Sequence, residues 1–161
     1  MNKLILKYSL ITLAGLLVQW WLFFFAPFAI PERIPSTPIN IHGVFLIGYL
    51  VLILILFQKR LLRAAPDRGI GYLTLQGALM AFWAELAFQL IRMPTLVAET
   101  FGERVYYCGR GTIMVSAFAA VLSFLVAFQL KTKRTGWLIL LIIGVLLLVA
   151  LLKQVFPGLW P

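Results

Sequence analysis

Long apolar runs, separated by short basic or proline-rich breaks, constrain this chain more than any other feature. They fall at about residues 8–29, 41–57, 70–91, 111–130 and 137–156. The hydrocarbon core of a bilayer is about 30 Å thick, and a helix needs about 20 residues to cross it. Four runs reach that length, and 41–57 falls a little short. Inside hydrocarbon every backbone N–H and C=O must be bonded within the structure, and a run of this length does so as a helix. The pattern predicts an all-α fold, a polytopic transmembrane helical bundle of five spans. All of it, residues 1–161, reads as a single integral membrane helical domain.

Composition agrees with lipid as the solvent. Hydrophobic residues make up 63% of the 161 and charged residues 12%, against about half and about a quarter in a soluble domain. A chain this short could not hide that excess in a core. The net charge of +9 does not point to nucleic acid, because the basic residues sit in clusters between the apolar runs. Those are the positions of topology signals.

Lys3 and Lys7 precede the first run as in a signal peptide. That run is too long for a signal h-region and ends in Phe23-Phe24-Phe25-Ala26-Pro27, a poor cleavage site, so it reads as a retained anchor. The stretch Pro31–Asn40, with Pro31, Pro35 and Pro38, reads as a loop. Pro66 and Gly69 break a basic turn holding Lys59, Arg60, Arg63 and Arg68. A longer connection, Arg92–Arg110, is expected to hold a short interfacial helix around Thr95–Tyr106. Lys131–Gly136 is a tight basic turn. Five spans place Lys3, Lys7, Lys59, Arg60, Arg63, Arg68, Lys131, Lys133 and Arg134 on one side. Arg33, Arg92, Arg104, Arg110 and Lys153 fall on the other. The richer side is expected to be cytoplasmic, with the N-terminus in and the C-terminus out. A retained anchor and an all-helical pattern suggest a bacterial inner membrane. The echo of Ala87-Phe88-Gln89-Leu90 in Ala127-Phe128-Gln129-Leu130 reads as chance in a small alphabet rather than an inverted repeat.

The strongest local signal for chemistry is Glu85, inside the third run. A carboxylate at membrane depth is costly and usually faces the bundle, water or a partner. Gln89 and Arg92 follow at helical spacing on nearly the same face. Thr74, Ala78 and Ala81 continue that face backwards, giving a stripe that is small or polar throughout. The fourth run carries a matching stripe of Thr112, Ser116, Ala119, Ser123 and Ala127. Small residues allow close helix approach in lipid, so the two stripes are expected to meet as a packing seam. The first run adds Ser9, Thr12, Gly15 and Gln19 at helical spacing. The fifth run, rich in leucine, reads as peripheral or as a surface for another protein.

A second cluster lies at the other ends of these runs: His42, Glu99, Glu103, Arg104, Cys108 and Arg110, with Asn40, Tyr106 and Tyr107. Its arginines could hold an anion in bidentate fashion. The plainer alternative is ordinary interfacial anchoring. One cysteine and one histidine argue against an internal disulfide, a metal site or bis-histidine haem. No Gly-rich phosphate loop, HExxH or CxxC is present, so no cofactor is expected.

These features favour a non-catalytic accessory or structural subunit of a larger membrane assembly. Its expected partners are the lipid bilayer and another membrane protein or a second copy. A small oligomeric transporter or channel, with Glu85 as an intramembrane proton, cation or coupling site, is the alternative. A membrane enzyme working on a lipid-linked substrate at the outer face, through His42, Glu99 or Glu103, is a third.

Overall fold

The computed structural model describes residues 2–24, 41–97, 100–136, 139 and 142, with the side chain of His42 outside that set. Four long helices account for most of it: α1 (Asn2–Phe24), α2 (Ile41–Ala64), α3 (Ile70–Arg92) and α4 (Phe101–Thr132). All four are long and apolar enough to cross a membrane. Of the five expected spans, the fifth, about 137–156, lies outside the described residues except Ile139 and Ile142. The end of the first run and the proline-rich stretch 31–40 also lie outside them.

Two helices are longer than their apolar runs. α2 continues through Lys59, Arg60 and Arg63 to Ala64, so the second run is not the short one it seemed. Hydropathy stops at Phe57, but Leu61 is buried and Leu62 packs beside it. Burying these leucines holds about two more turns on the bundle while the basic heads reach outward. α4 begins at Phe101 and takes in most of the expected interfacial helix, and among the described residues a 3-10 turn at Met93–Thr95 follows α3. Thr100 starts α4 as its N-cap, its Oγ1 accepting from the Glu103 N–H at 3.2 Å. This is one half of the capping arrangement that T-x-x-E sequences favour. Gly102 and Gly109, in the connection expected at Arg92–Arg110, lie within α4 with Gly111. Each glycine weakens a helix by only about 1 kcal/mol, and burial of Cys108 and Thr112 outweighs that. The last turn of α4 closes at Lys133, in the left-handed conformation (φ 53°), whose N–H bonds Gln129 O.

The helices run up, down, up and down. Lys3, Lys7, the α2–α3 turn and the end of α4 gather at one end of the bundle, the basic end. There Lys131 Nζ donates to Pro66 O at 2.6 Å, latching α4 to the α2–α3 turn. α3 is the central element and packs most extensively on α4, then on α1. The core lies toward the basic end, where Tyr8, Leu54, Phe57, Leu61, Leu73, Met80, Ala119 and Ala127 close on one another. Tyr8 and Phe57 rings sit 5.3 Å apart.

Close approaches join the helices where side chains are small. Tyr49 of α2 lies on Gly15 of α1, where any Cβ would collide with its ring, and its hydroxyl donates to Ile11 O at 2.5 Å. Ser9 donates to Met80 O across the α1–α3 contact at 2.9 Å. At the basic end Gln58 Nε2 of α2 reaches Ser123 Oγ of α4 at 2.8 Å and Ser123 O at 2.9 Å. Ser123 Oγ in turn donates to Thr74 O of α3 at 3.0 Å. One serine thereby ties three helices, and Gly77 leaves room for it.

Candidate functional site

The polar groups of α3 and α4 lie along the contact between these helices. Near the basic end Thr74 is half-buried and meets Ser123, while Ala81 and Ala119 are buried in the core. Ala78 is half-buried on the same side of α3. Toward the opposite end Glu85 and Gln89 are both buried, with 4% and 5% of their surfaces exposed. Gln89 Nε2 donates to Glu85 Oε1 at 2.6 Å along one helix face. From α4, Gly111 faces the Gln89 amide so closely that a Cβ there would lie 2.8 Å from Nε2. Cys108 is buried beside it, its thiol directed at Gln89 O at 3.5 Å. Thr112, also buried, turns its hydroxyl back to Cys108 O at 2.9 Å.

Arg92 follows one turn beyond Gln89. Its guanidinium lies over the Phe88 ring, 5.8 Å from the centroid, and adds an attractive charge to the surroundings of Glu85. Arg92 is half-buried. Its Nε, Gln89 Oε1 and Ser116 Oγ are buried without a hydrogen-bond partner among the described residues. The antiparallel pairing of Ser123 with Thr74 and Gly77, and of Gly111 with Gln89, sets Ser116 level with Ala81–Glu85.

The second cluster divides. Glu99 and the side chain of His42 lie outside the described residues. Glu103, Tyr106 and Tyr107 are exposed on the first turns of α4, and Arg104 and Arg110 are half-buried. Helical spacing puts Glu103, Tyr107 and Arg110 on one face and Cys108 with Thr112 on the other. Cys108 is committed to the contact with α3, so it cannot share chemistry with Glu103. The Tyr106 and Tyr107 rings meet edge to face, 5.8 Å between centroids, as in an interfacial belt. Among the described residues no three His, Cys, Asp or Glu side chains converge on a point that could hold a metal.

Two contributors to the junction at Ser123 are not evident from the sequence. Gln58 stands one residue beyond an apolar run, where a glutamine is placed to tie helices. Gly77 sits beside the small stripe rather than on it. Gln76 is buried with an Oε1 unpartnered among the described residues, and no sequence signal separates it from a solvated residue.

Two apolar grooves flank these contacts. One, of about 520 Å³, runs between α1 and α3, walled by Leu10, Leu13 and Trp83 and floored by Ser9, Ala84 and Ala87. The other, of about 570 Å³, runs between α2 and α4. Neither is lined by Glu85, Gln89 or Arg92. The chain matches no protein-family model, and no curated protein or solved structure is similar to it.

Proposed function

We propose that this protein is a non-catalytic helical subunit of a larger membrane assembly, holding a partner's transmembrane helix against α1 and α3. The observation that carries this reading is the groove between those helices. Lipid asks only that an outward face be apolar, and a flat leucine surface meets that demand. A concave track floored by Ser9, Ala84 and Ala87 and walled by Leu10, Leu13 and Trp83 has the small-residue floor that lets another helix backbone come close. The Glu85 cluster supports the same reading. Its carboxylate is hydrogen-bonded to Gln89 of the same helix, Gln89 meets Cys108 and Gly111 of α4, and neither groove reaches the carboxylate.

The remaining topology belongs with this proposal. Residues 137–156 form a fifth span, the cytoplasmic side is the basic end, the N-terminus is inside and the C-terminus outside. The membrane is the bacterial inner membrane. The excess of lysine and arginine at the basic end supports the orientation.

The test is extraction in lipid nanodiscs with a photo-crosslinking amino acid at Trp83, on the rim of the α1–α3 groove. One defined heterologous membrane protein should be captured, and Ala87→Leu, which fills the floor, should abolish capture while leaving the protein's thermal stability within about 1 kcal/mol. Capture of lipid alone, with a lone active monomer in the same preparation, would sink the proposal.

A second reading is favoured by the buried Glu85 carboxylate beside the unpartnered acceptor Gln89 Oε1. In this reading Glu85 takes up a proton or a small cation, and Arg92 is a fixed positive charge near it. Under it Glu85→Gln abolishes ion flux in proteoliposomes while the fold is retained. Under the first it changes stability only.

A further inference from the structure

The α2–α4 groove changes character along its length. On α2 its wall runs Ile47, Val51, Ile55 and Lys59, each one turn from the last, and Arg63 continues the same line. On α4 the facing wall passes from Phe118 through Leu122 and Leu125 to Gln129. Both walls are apolar until the turn nearest the basic end, where each becomes polar. Lys59 and Arg63 are exposed. They are like charges one turn apart on a helix that holds no Asp or Glu, an unfavourable spacing that an anion between them relieves.

Length and lining point to one kind of occupant. The stretch of α2 from Ile47 to Lys59 measures about 18 Å at 1.5 Å per residue, a little over half of a hydrocarbon core of about 30 Å. That is the depth of one leaflet, from headgroup level to the midplane. The open volume is about 570 Å³ with Ile142 standing among the walls. No Gly, Ala or Ser is among those walls, so they lack the small residues that admit a helix backbone. The α1–α3 groove differs on both counts, being floored by Ser9, Ala84 and Ala87 and lined by no cation.

We propose that the α2–α4 groove is a site for one anionic phospholipid. An acyl chain lies between Val51 and Ile55 of α2 and Leu122 and Leu125 of α4, and the phosphate sits on Lys59 and Arg63. Lys59 lays its stem along the groove and carries its ammonium to headgroup level. Basic residues clustered at the end of a spanning helix select an anionic headgroup over a zwitterionic one. The site needs only that the four apolar helices cross a bilayer. It stands whether or not α1 and α3 hold a partner, and whichever side the basic end faces.

Native mass spectrometry of the whole protein, extracted mildly from vesicles of equal phosphatidylglycerol and phosphatidylcholine, tests this. One phosphatidylglycerol should stay bound, in preference to phosphatidylcholine. Lys59→Gln should lower its retention about five-fold, the worth of one basic residue at an anionic surface, and Lys59→Arg should restore it. Arg134→Gln removes an exposed cation of the same end that does not line the groove and should leave retention unchanged. Val51→Trp, which fills the groove, should release the lipid, with Leu122→Phe as the substitute if Val51→Trp unfolds. Each variant is first shown to keep the parent's thermal unfolding. Equal retention of the two lipids, or equal losses from Lys59→Gln and Arg134→Gln, means diffuse attraction and overturns the site. So does a second copy or a foreign protein that stays bound in place of lipid and leaves with Val51→Trp. Extraction of the membranes with alkaline carbonate separates the premise from the site. A protein that washes off does not cross the bilayer, whereas one that stays but retains no phosphatidylglycerol loses the lipid site alone.

Discussion

Gly77→Ala is the substitution whose cost can be worked most directly from the structure. A Cβ on Gly77 would collide with Ser123 Oγ and lie 3.0 Å from Leu54 Cδ2 and 3.1 Å from Ser123 Cβ. Two of these atoms belong to α4 backbone-proximal positions, so the helices must part or Ser123 must rotate. Parting the helices is overpacking, which costs about 1–3 kcal/mol. Rotating Ser123 instead breaks its bonds with Gln58 Nε2 and Thr74 O, each interhelical bond in a membrane protein being worth about 0.6 kcal/mol on average. The cheaper of these routes sets the expected loss, about 1–3 kcal/mol. Unfolding in mixed micelles by added SDS, followed by tryptophan fluorescence, reads this directly. Ser123→Gly removes the obstructing oxygen as well as the bonds, so in the double variant the two losses should not add. A coupling of about 1–2 kcal/mol is expected between two residues in contact. A loss for Gly77→Ala below about 0.5 kcal/mol, the scatter of ordinary surface substitutions, would refute the three-helix junction, and so would strict additivity.

Two further substitutions probe the α3–α4 contact. Glu85→Gln keeps the hydrogen bond to Gln89 and should lower stability by about 1 kcal/mol or less, whereas Glu85→Ala strands the buried Gln89 amide and should cost about 1–3 kcal/mol in the same unfolding titration. Equal losses would show that the Gln89 bond contributes nothing. Cys108, 8% exposed against Gln89, should react with a maleimide about 100-fold more slowly in the folded protein than in SDS, since reaction waits on local opening. Gly111→Ala, which crowds the Gln89 amide, should speed that reaction, and unchanged protection in the variant would show that Gly111 does not gate the contact.

The sequence made some of this legible and hid the rest for physical reasons. Apolar runs of bilayer length announce helices because hydrocarbon leaves the backbone no other partner. The stripe from Thr74 through Glu85 to Gln89 follows from helical spacing, since a lone carboxylate marks which face must turn inward. What hydropathy cannot show is where a helix ends when its last turns are amphipathic. α2 runs on past Phe57 because Leu61 is buried under its basic neighbours, and α4 starts early because Thr100 caps it. The junction of Gln58, Gly77 and Ser123 needs three helices at one height; Ser123 stands out in its small stripe, but Gln58 and Gly77 are unremarked in their own segments. Cys108 and Glu103 stand five residues apart in sequence, and only the helical phase of α4 through both of them separates their faces.

The early start of α4 gives it 32 residues, about 48 Å of helix at 1.5 Å per residue, well beyond a hydrocarbon core of about 30 Å. The surplus is far more than tilting ordinarily absorbs. In the membrane placement proposed above, its first three turns stand as a stiff post at headgroup depth, carrying Phe101, Arg104, Tyr106, Tyr107 and Arg110 on a helical frame. A flexible loop with the same residues would lose conformational entropy each time it gripped a lipid phosphate or a neighbouring chain. A helix has already surrendered that entropy on folding. Contacts at this surface should accordingly be sensitive to bilayer thickness, because thickening the membrane by a few ångströms shifts which of these side chains meets the headgroups without reshaping the protein.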